Sequence, residues 1–340
     1  MSSTPLTRLR VLRVCLSLAG VLFILSFVAL MVGAASIPAR EVGTALWEGL
    51  TGSPSTLTTG HESILLYVRL PRILLAMIVG AALGVAGAGY QALLRNPLAD
   101  PYVLGVSSGA ALGTILSLAL AGRLTLTTPV AAFVGAMLTI AVVYFLGQHG
   151  AELSPYTLLL AGVITASFLS ALITFLLKFL SGPALREAAF WMMGDLSNPA
   201  PLRLPWLALF TLVAVGVIFF VAGDLNLLLG GEPEAQALGV NVRRTKLLVY
   251  LAASLATGLA VSVSGAIGYV GLLVPHLVRL LFGGDYRLLV PATALGGAVL
   301  LLAADTLART VVAPTELPVG AVTAVVGAPV FIYLLRRRLQ

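Results

Sequence analysis

Side chains able to do chemistry are scarce in these 340 residues: charged groups make up 10% of the chain, joined by three histidines and one cysteine. His276 has no His, Cys or acidic companion three or four positions away, and His61 and His149 lie in different loops, so no zinc-like ligand set is spelled out. Cys15 stands alone in an apolar run, which excludes a disulfide framework and leaves it a packing role. No Gly-x-x-x-x-Gly-Lys-Ser/Thr loop is available to cradle a nucleotide phosphate. An intramembrane enzyme would need a nucleophile with its base, or two facing aspartates, and no such set appears, so no catalytic residue is assigned. Two charged patterns do have suggestive spacing. Asp305 and Arg309 are four apart, the geometry of a helical ion pair, and Arg69-Leu70-Pro71-Arg72 opens an apolar run with two arginines displayed at its mouth.

The elements that position these groups are membrane helices. Hydrophobic residues make up 59% of the chain and mean hydropathy is +1.05, whereas a bilayer core about 30 Å thick needs about 20 apolar residues per crossing. Apolar runs at 9–33, 64–92, 105–120, 127–148, 155–181, 202–223, 245–264, 267–283, 289–309 and 318–335 give an all-α, polytopic membrane protein of about ten transmembrane helices. No linker divides it, so 1–340 is a single transmembrane domain. The first run exceeds the h-region of a secretory signal and is expected to stay as a spanning helix. Arg8, Arg10, Arg13, Arg336, Arg337 and Arg338 fall on one side, which places both termini in the cytoplasm and makes the net charge of +7 topological rather than a nucleic-acid footprint. Arg123 and Arg203 fall on the other side.

Breaks between the runs carry most of the information. Pro71 suits a first helical turn, where its missing N–H would be unpaired anyway. Gly80, Gly84 and Ala88 form a small-residue stripe for close helix packing. From Arg95 to Gly109, two prolines preceded by Asn96 and Asp100 predict a re-entrant loop, with Ser107, Ser108 and Gly109 starting a broken or half-length third helix. Along the fifth run Thr157, Ile164, Phe168, Ala171 and Phe175 trace a face without charge, which would pass a bulky solute without gripping it. A short surface helix is predicted over Gly231, Glu232, Pro233, Glu234, Ala235, Leu238 and Gly239, with Gly239 as its C-terminal cap. Ala235 and Leu238 are exposed between the acids and Arg243-Arg244, a composition suited to docking in another protein's groove.

In register, these landmarks resemble the permease subunits of type II ATP-binding-cassette importers, which move ferric siderophores, haem and cobalamin. The resemblance also runs through Leu158 to Gly162, Trp191-Met192-Met193-Gly194, Ser264 to Arg279 and Asp305 to Pro329, and covers nearly the whole chain. It implies a homodimer in a bacterial or archaeal cytoplasmic membrane, two cytoplasmic ATPase subunits that hold ATP and Mg, and a periplasmic or extracellular substrate-binding protein. It implies no cofactor or metal on this chain. By the same resemblance, Arg69, Arg72 and Arg309 meet acidic knobs on the binding protein, and the helix at 231–239, within about 224–246, couples to the ATPase. The fifth and tenth runs line the pathway, with Ser154, Pro155 and Tyr156 near the cytoplasmic gate. The cobalamin permease pattern has small hydroxyl residues where Pro155 and Tyr156 stand, which favours an iron chelate or haem as cargo. The alternative, an ion-coupled secondary transporter, would need acids near mid-membrane, and none of the thirteen acids falls clearly at mid-span.

Overall fold

The computed structural model describes residues 6–33, 35–53, 57–120, 127–149 and 152–339; Arg123 lies outside them. Helix α1 (Arg8–Met31) starts at Thr7, whose hydroxyl accepts the Arg10 N–H. Two short helices follow, α2 (Ala39–Thr51) and α3 (Thr59–Ser63), and α3 continues through a π turn at Ile64–Arg69 into α4 (Leu70–Leu93). Next come α5 (Val106–Ala119), α6 (Thr128–Gly147), α7 (Pro155–Leu177), α8 (Gly182–Met193), α9 (Leu204–Phe220), α10 (Ala222–Leu228) and α11 (Glu232–Ala237). The chain ends with α12 (Val242–Ser264), α13 (Val270–Phe282), α14 (Tyr286–Thr310) and α15 (Val319–Leu339). Among the described residues the sole strand pairing joins Gln148–His149 to Glu152–Leu153, just before α7.

Seven of these helices are long and apolar enough to cross a bilayer, and α5, α13 and residues 319–334 of α15 form three shorter apolar helices. All ten expected runs are therefore helical, but α5 and α13 are truncated. At 1.5 Å per residue they reach about 21 and 20 Å, some two-thirds of the hydrocarbon core. For α5 this is the half-length helix predicted from its prolines. Asp100 caps the preceding turn by accepting the Tyr102 N–H, and Gly105 turns the chain with φ +76°. The shortening of α13 comes from Gly265–Tyr269, an irregular stretch in which Gly265 (φ +65°) and Tyr269 (φ +70°) both adopt left-handed backbone. The hydroxyl of Tyr102 accepts the Ile267 N–H and donates to its carbonyl, so the two irregular stretches brace each other.

Small residues set the centre of the bundle. Helix α4 packs on α9, α12, α13 and α14, and 78% of its most apolar window is buried, against 17% for α1. A Cβ added to Gly80 would overlap the Gly297 carbonyl of α14, and one added to Gly87 would overlap the Gly271 carbonyl of α13, so the stripe serves backbone-to-backbone contact. The Trp191–Gly194 and Ser264–Gly268 segments also meet: Asp195 N–H donates to the Ser264 carbonyl at 2.8 Å, and Gly265 and Gly320 lie against the carbonyls of Trp191 and Met193.

The structure departs from the sequence reading in several elements. Pro71 lies in the first turn of α4 as expected, but the helical run already begins at Thr59. The π turn ending at Arg69 widens the coil immediately before the proline ring, which relieves the clash with the preceding turn. Helices α2, α8 and α10 were not anticipated.

Candidate coupling and translocation sites

Arg69, Arg72 and Arg309 converge at one end of the bundle, where α4 begins and α14 ends. They are not displayed there. Only 4, 5 and 6% of their surface is exposed, which corrects the expectation of two arginines open at the mouth. Arg72 donates through Nε to Asp305 Oδ1 at 2.9 Å and through Nη1 to Glu316 Oε2 at 2.7 Å. Arg309 Nε lies 3.1 Å from Asp305 Oδ2, an ion pair whose angle is too poor for a hydrogen bond. The expected Asp305–Arg309 pair is thus present, and Asp305 is wholly buried with two arginines to compensate it. Arg69 turns away from both acids. Its guanidinium donates to the carbonyls of Leu30 and Met31 at the end of α1 and of Ala35 just beyond it. Glu316 is the one member that reaches the surface, with 46% of its side chain exposed.

The opposite end carries the start of α1 and the end of α15. There α11 stands between Gly231 (φ +143°) and Gly239 (φ +87°), close to the expected 231–239. Leu238 is 68% exposed, as docking in a groove requires, whereas Ala235 is fully buried and corrects the expectation that both are open. Pro233 lies in the first turn, where Glu232 and Glu234 also favour the positive helix end. The Glu232 carboxylate receives Lys246 Nζ at 2.6 Å and Arg95 Nη2 at 3.1 Å. Fourteen-residue spacing across two helices gives no local pattern, so sequence reading missed this cluster.

Helix α7 starts at the same end, capped by Ser154, whose hydroxyl accepts the Thr157 N–H at 3.4 Å, with Pro155 in the first turn. Leu158, Ala161, Gly162, Thr165, Leu169 and Ile173 pack inward. Tyr156, Ile164, Phe168, Ala171 and Phe175 are exposed on the other side, Thr157 is partly buried, and no charge interrupts this face. Ser167 and Thr174 donate to the carbonyls four residues back, so neither hydroxyl is free to grip a solute. Phe168 and Thr165 border an apolar cavity of about 360 Å³ between α5, α6 and α7. His276 is 3% exposed and packed beside the Phe331 ring.

A model of the FecCD transport family matches residues 21–337. The chain belongs to that family. It is similar to the uncharacterised ABC transporter permease protein YvrB of Bacillus subtilis, with 43% identity over 318 residues that cover 90% of this chain and 88% of that one. The hemin transport system permease protein HmuU of Yersinia pestis is 41% identical over 332 residues, covering 94 and 95%. The cobalamin import system permease protein BtuC of Halobacterium salinarum is 44% identical over 271 residues, covering 80 and 73%. A solved inward-facing conformation of a metal-chelate type ABC transporter matches at 31% identity with a TM-score of 0.82, covering 96% of this chain and 99% of that one. As a FecCD-family member, the chain is a transport permease subunit and not an enzyme.

Proposed function

We propose that this FecCD-family chain is the membrane subunit of an ATP-driven importer that takes a large metal chelate from a binding protein and releases it into the cytoplasm. The observation that carries this reading is the long uncharged face of α7, from Tyr156 to Phe175, left open in the single chain beside a capped start at Ser154. In a homodimer two such faces enclose a path for a bulky solute, with Ser154, Pro155 and Tyr156 at its cytoplasmic end and α15 beside it. Relatives named for hemin and cobalamin support a chelate as cargo. Pro155 and Tyr156 favour an iron chelate or haem. Both chain ends and α11 then face the cytoplasm, where α11 docks on the ATPase through Leu238.

Docking of the binding protein at the other end is part of the same reading, with Glu316 as the contact to break. An acidic knob competes with Glu316 for Arg72, while Arg69 and Arg309 keep the floor beneath it positive. Proteoliposomes holding this chain, an ABC ATPase and a binding protein from the same genome should accumulate labelled ferric siderophore or haem only with ATP. Uptake driven by a proton or sodium gradient without the ATPase would establish the secondary-transporter alternative instead. Cysteines at Ile164, Phe168 and Ala171 in a Cys15→Ser background should be shielded from a bulky thiol reagent when cargo is trapped, and an identical pattern with and without cargo would move the path elsewhere.

A further inference from the structure

Three places where the chain leaves regular helix meet at one cation and one carboxylate. Lys246 is 6% exposed on α12, and its ammonium donates to the Leu153 carbonyl at 3.0 Å and to Glu232 at 2.6 Å. Leu153 is the residue before Ser154, so a single peptide plane separates the held carbonyl from the cap of α7. Glu232 is the first residue of α11. Its other oxygen receives Arg95, which closes the end of α4 in a left-handed conformation (φ +47°). Lys246 itself rides on one of the most buried helices of the bundle, so its backbone is anchored while the segments it holds are short and flanked by turns.

We propose that Lys246 and Glu232 form a strut that carries movement of α11 to the start of α7 and so sets the position of Ser154, Pro155 and Tyr156. The inference rests on the importer reading, in which α11 meets the ATPase and α7 lines the path. Lys246 is a positioning residue in this scheme and touches no cargo. Its three N–H donors serve two bonds at once, one ionic and one to a neutral carbonyl, and that double duty separates a strut from a plain ion pair. A plain pair stabilises two charges wherever they sit. A strut works only with the cation on α12, because a carboxylate at 246 has nothing to donate to Leu153.

The test uses the full chain assembled with its ABC ATPase in nanodiscs, carrying Cys15→Ser and a reporter Tyr156→Cys. The rate of reporter modification by a water-soluble maleimide is compared between the nucleotide-free and ADP–vanadate-trapped states. In the parent the two rates should differ. With Lys246→Met the ATPase should still copurify and the difference should disappear, while Lys246→Arg restores it. Glu232→Ala removes the acceptor at the more accessible end of the link, so it should lose the difference even where the buried Met variant folds poorly. The exchanged pair Glu232→Lys with Lys246→Glu should not restore it. Restoration by that exchange, a retained response in Lys246→Met and Glu232→Ala, or loss of ATPase copurification in both would overturn the strut. A parent whose reporter ignores nucleotide while the ATPase is bound would instead sink the importer reading beneath it.

Discussion

The Asp305 and Glu232 clusters use similar parts at opposite ends of the molecule, carboxylates gripped by longer cations, and they sit in different kinds of backbone. Asp305, Arg72 and Arg309 belong to α4 and α14, two helices pressed together through Gly80 and Gly297. Neither helix can shift without forcing carbonyls into each other, and the carboxylate between them is fully buried. Glu232 is about one-quarter exposed, its partners lie on a loop and a buried helix, and the buried lysine also holds the approach to α7. The first arrangement locks two surfaces that are already rigid. The second ties together segments whose ends are free to turn. Identical chemistry can therefore serve stability in one place and transmission in another, and the surrounding backbone decides which.

That contrast can be broken most directly at Asp305. Replacing it by alanine leaves two buried guanidiniums facing each other and should lower stability by about 3–5 kcal/mol, seen as a large drop in the thermal midpoint of the purified protein. An unchanged midpoint would show that the cluster is solvated after all. Gly80→Val should come next, near the upper end of the ~1–3 kcal/mol usual for overpacking, since the obstruction is the Gly297 backbone rather than a movable side chain. Glu232→Gln should shift the midpoint by less than about 1 kcal/mol, as partly exposed pairs do, while reducing coupling of ATP hydrolysis to uptake. A large stability loss there would make the two clusters alike. Smallest of all, Glu316→Gln should leave folding nearly unchanged and strengthen capture of a binding protein, more so at low salt because exposed charges are screened within about 8–10 Å. Weaker capture would make Glu316 a contact for the partner rather than its competitor.

Periodicity and composition reveal the ten apolar helices, and the paired prolines after Arg95 reveal that α5 is short, because both signals are local in sequence. Cap chemistry does the same for α11: glycines on either side and acids in the first turn are enough to place it. What escapes is whatever depends on distant residues. Arg69 and Arg72 read as open to the exterior because nothing nearby in sequence shows that α14 brings Asp305, or that the end of α1 and Ala35 bring three carbonyls, to cover them. Ala235 reads as exposed for the same reason. The strut is the extreme case, since Leu153 takes part through its backbone alone and its side-chain identity carries no information about the bond. Helix α8 is lost differently: its short run from Gly182 contains Arg186 and Glu187, too polar for a span and too apolar for a loop.

Helix α1 precedes its chief neighbour, α14, by most of the length of the chain. During synthesis it must therefore wait in lipid without its partner, which a helix of mean hydropathy 2.6 with few inward-facing side chains tolerates well. The fasteners that finally retain it are at its tips, Arg10 on the Phe282 carbonyl and Arg69 on the carbonyls of Leu30 and Met31. Contact between α1 and its main support is therefore completed only once α14 has been made, so an element translated before most of the bundle is held chiefly by one translated after it.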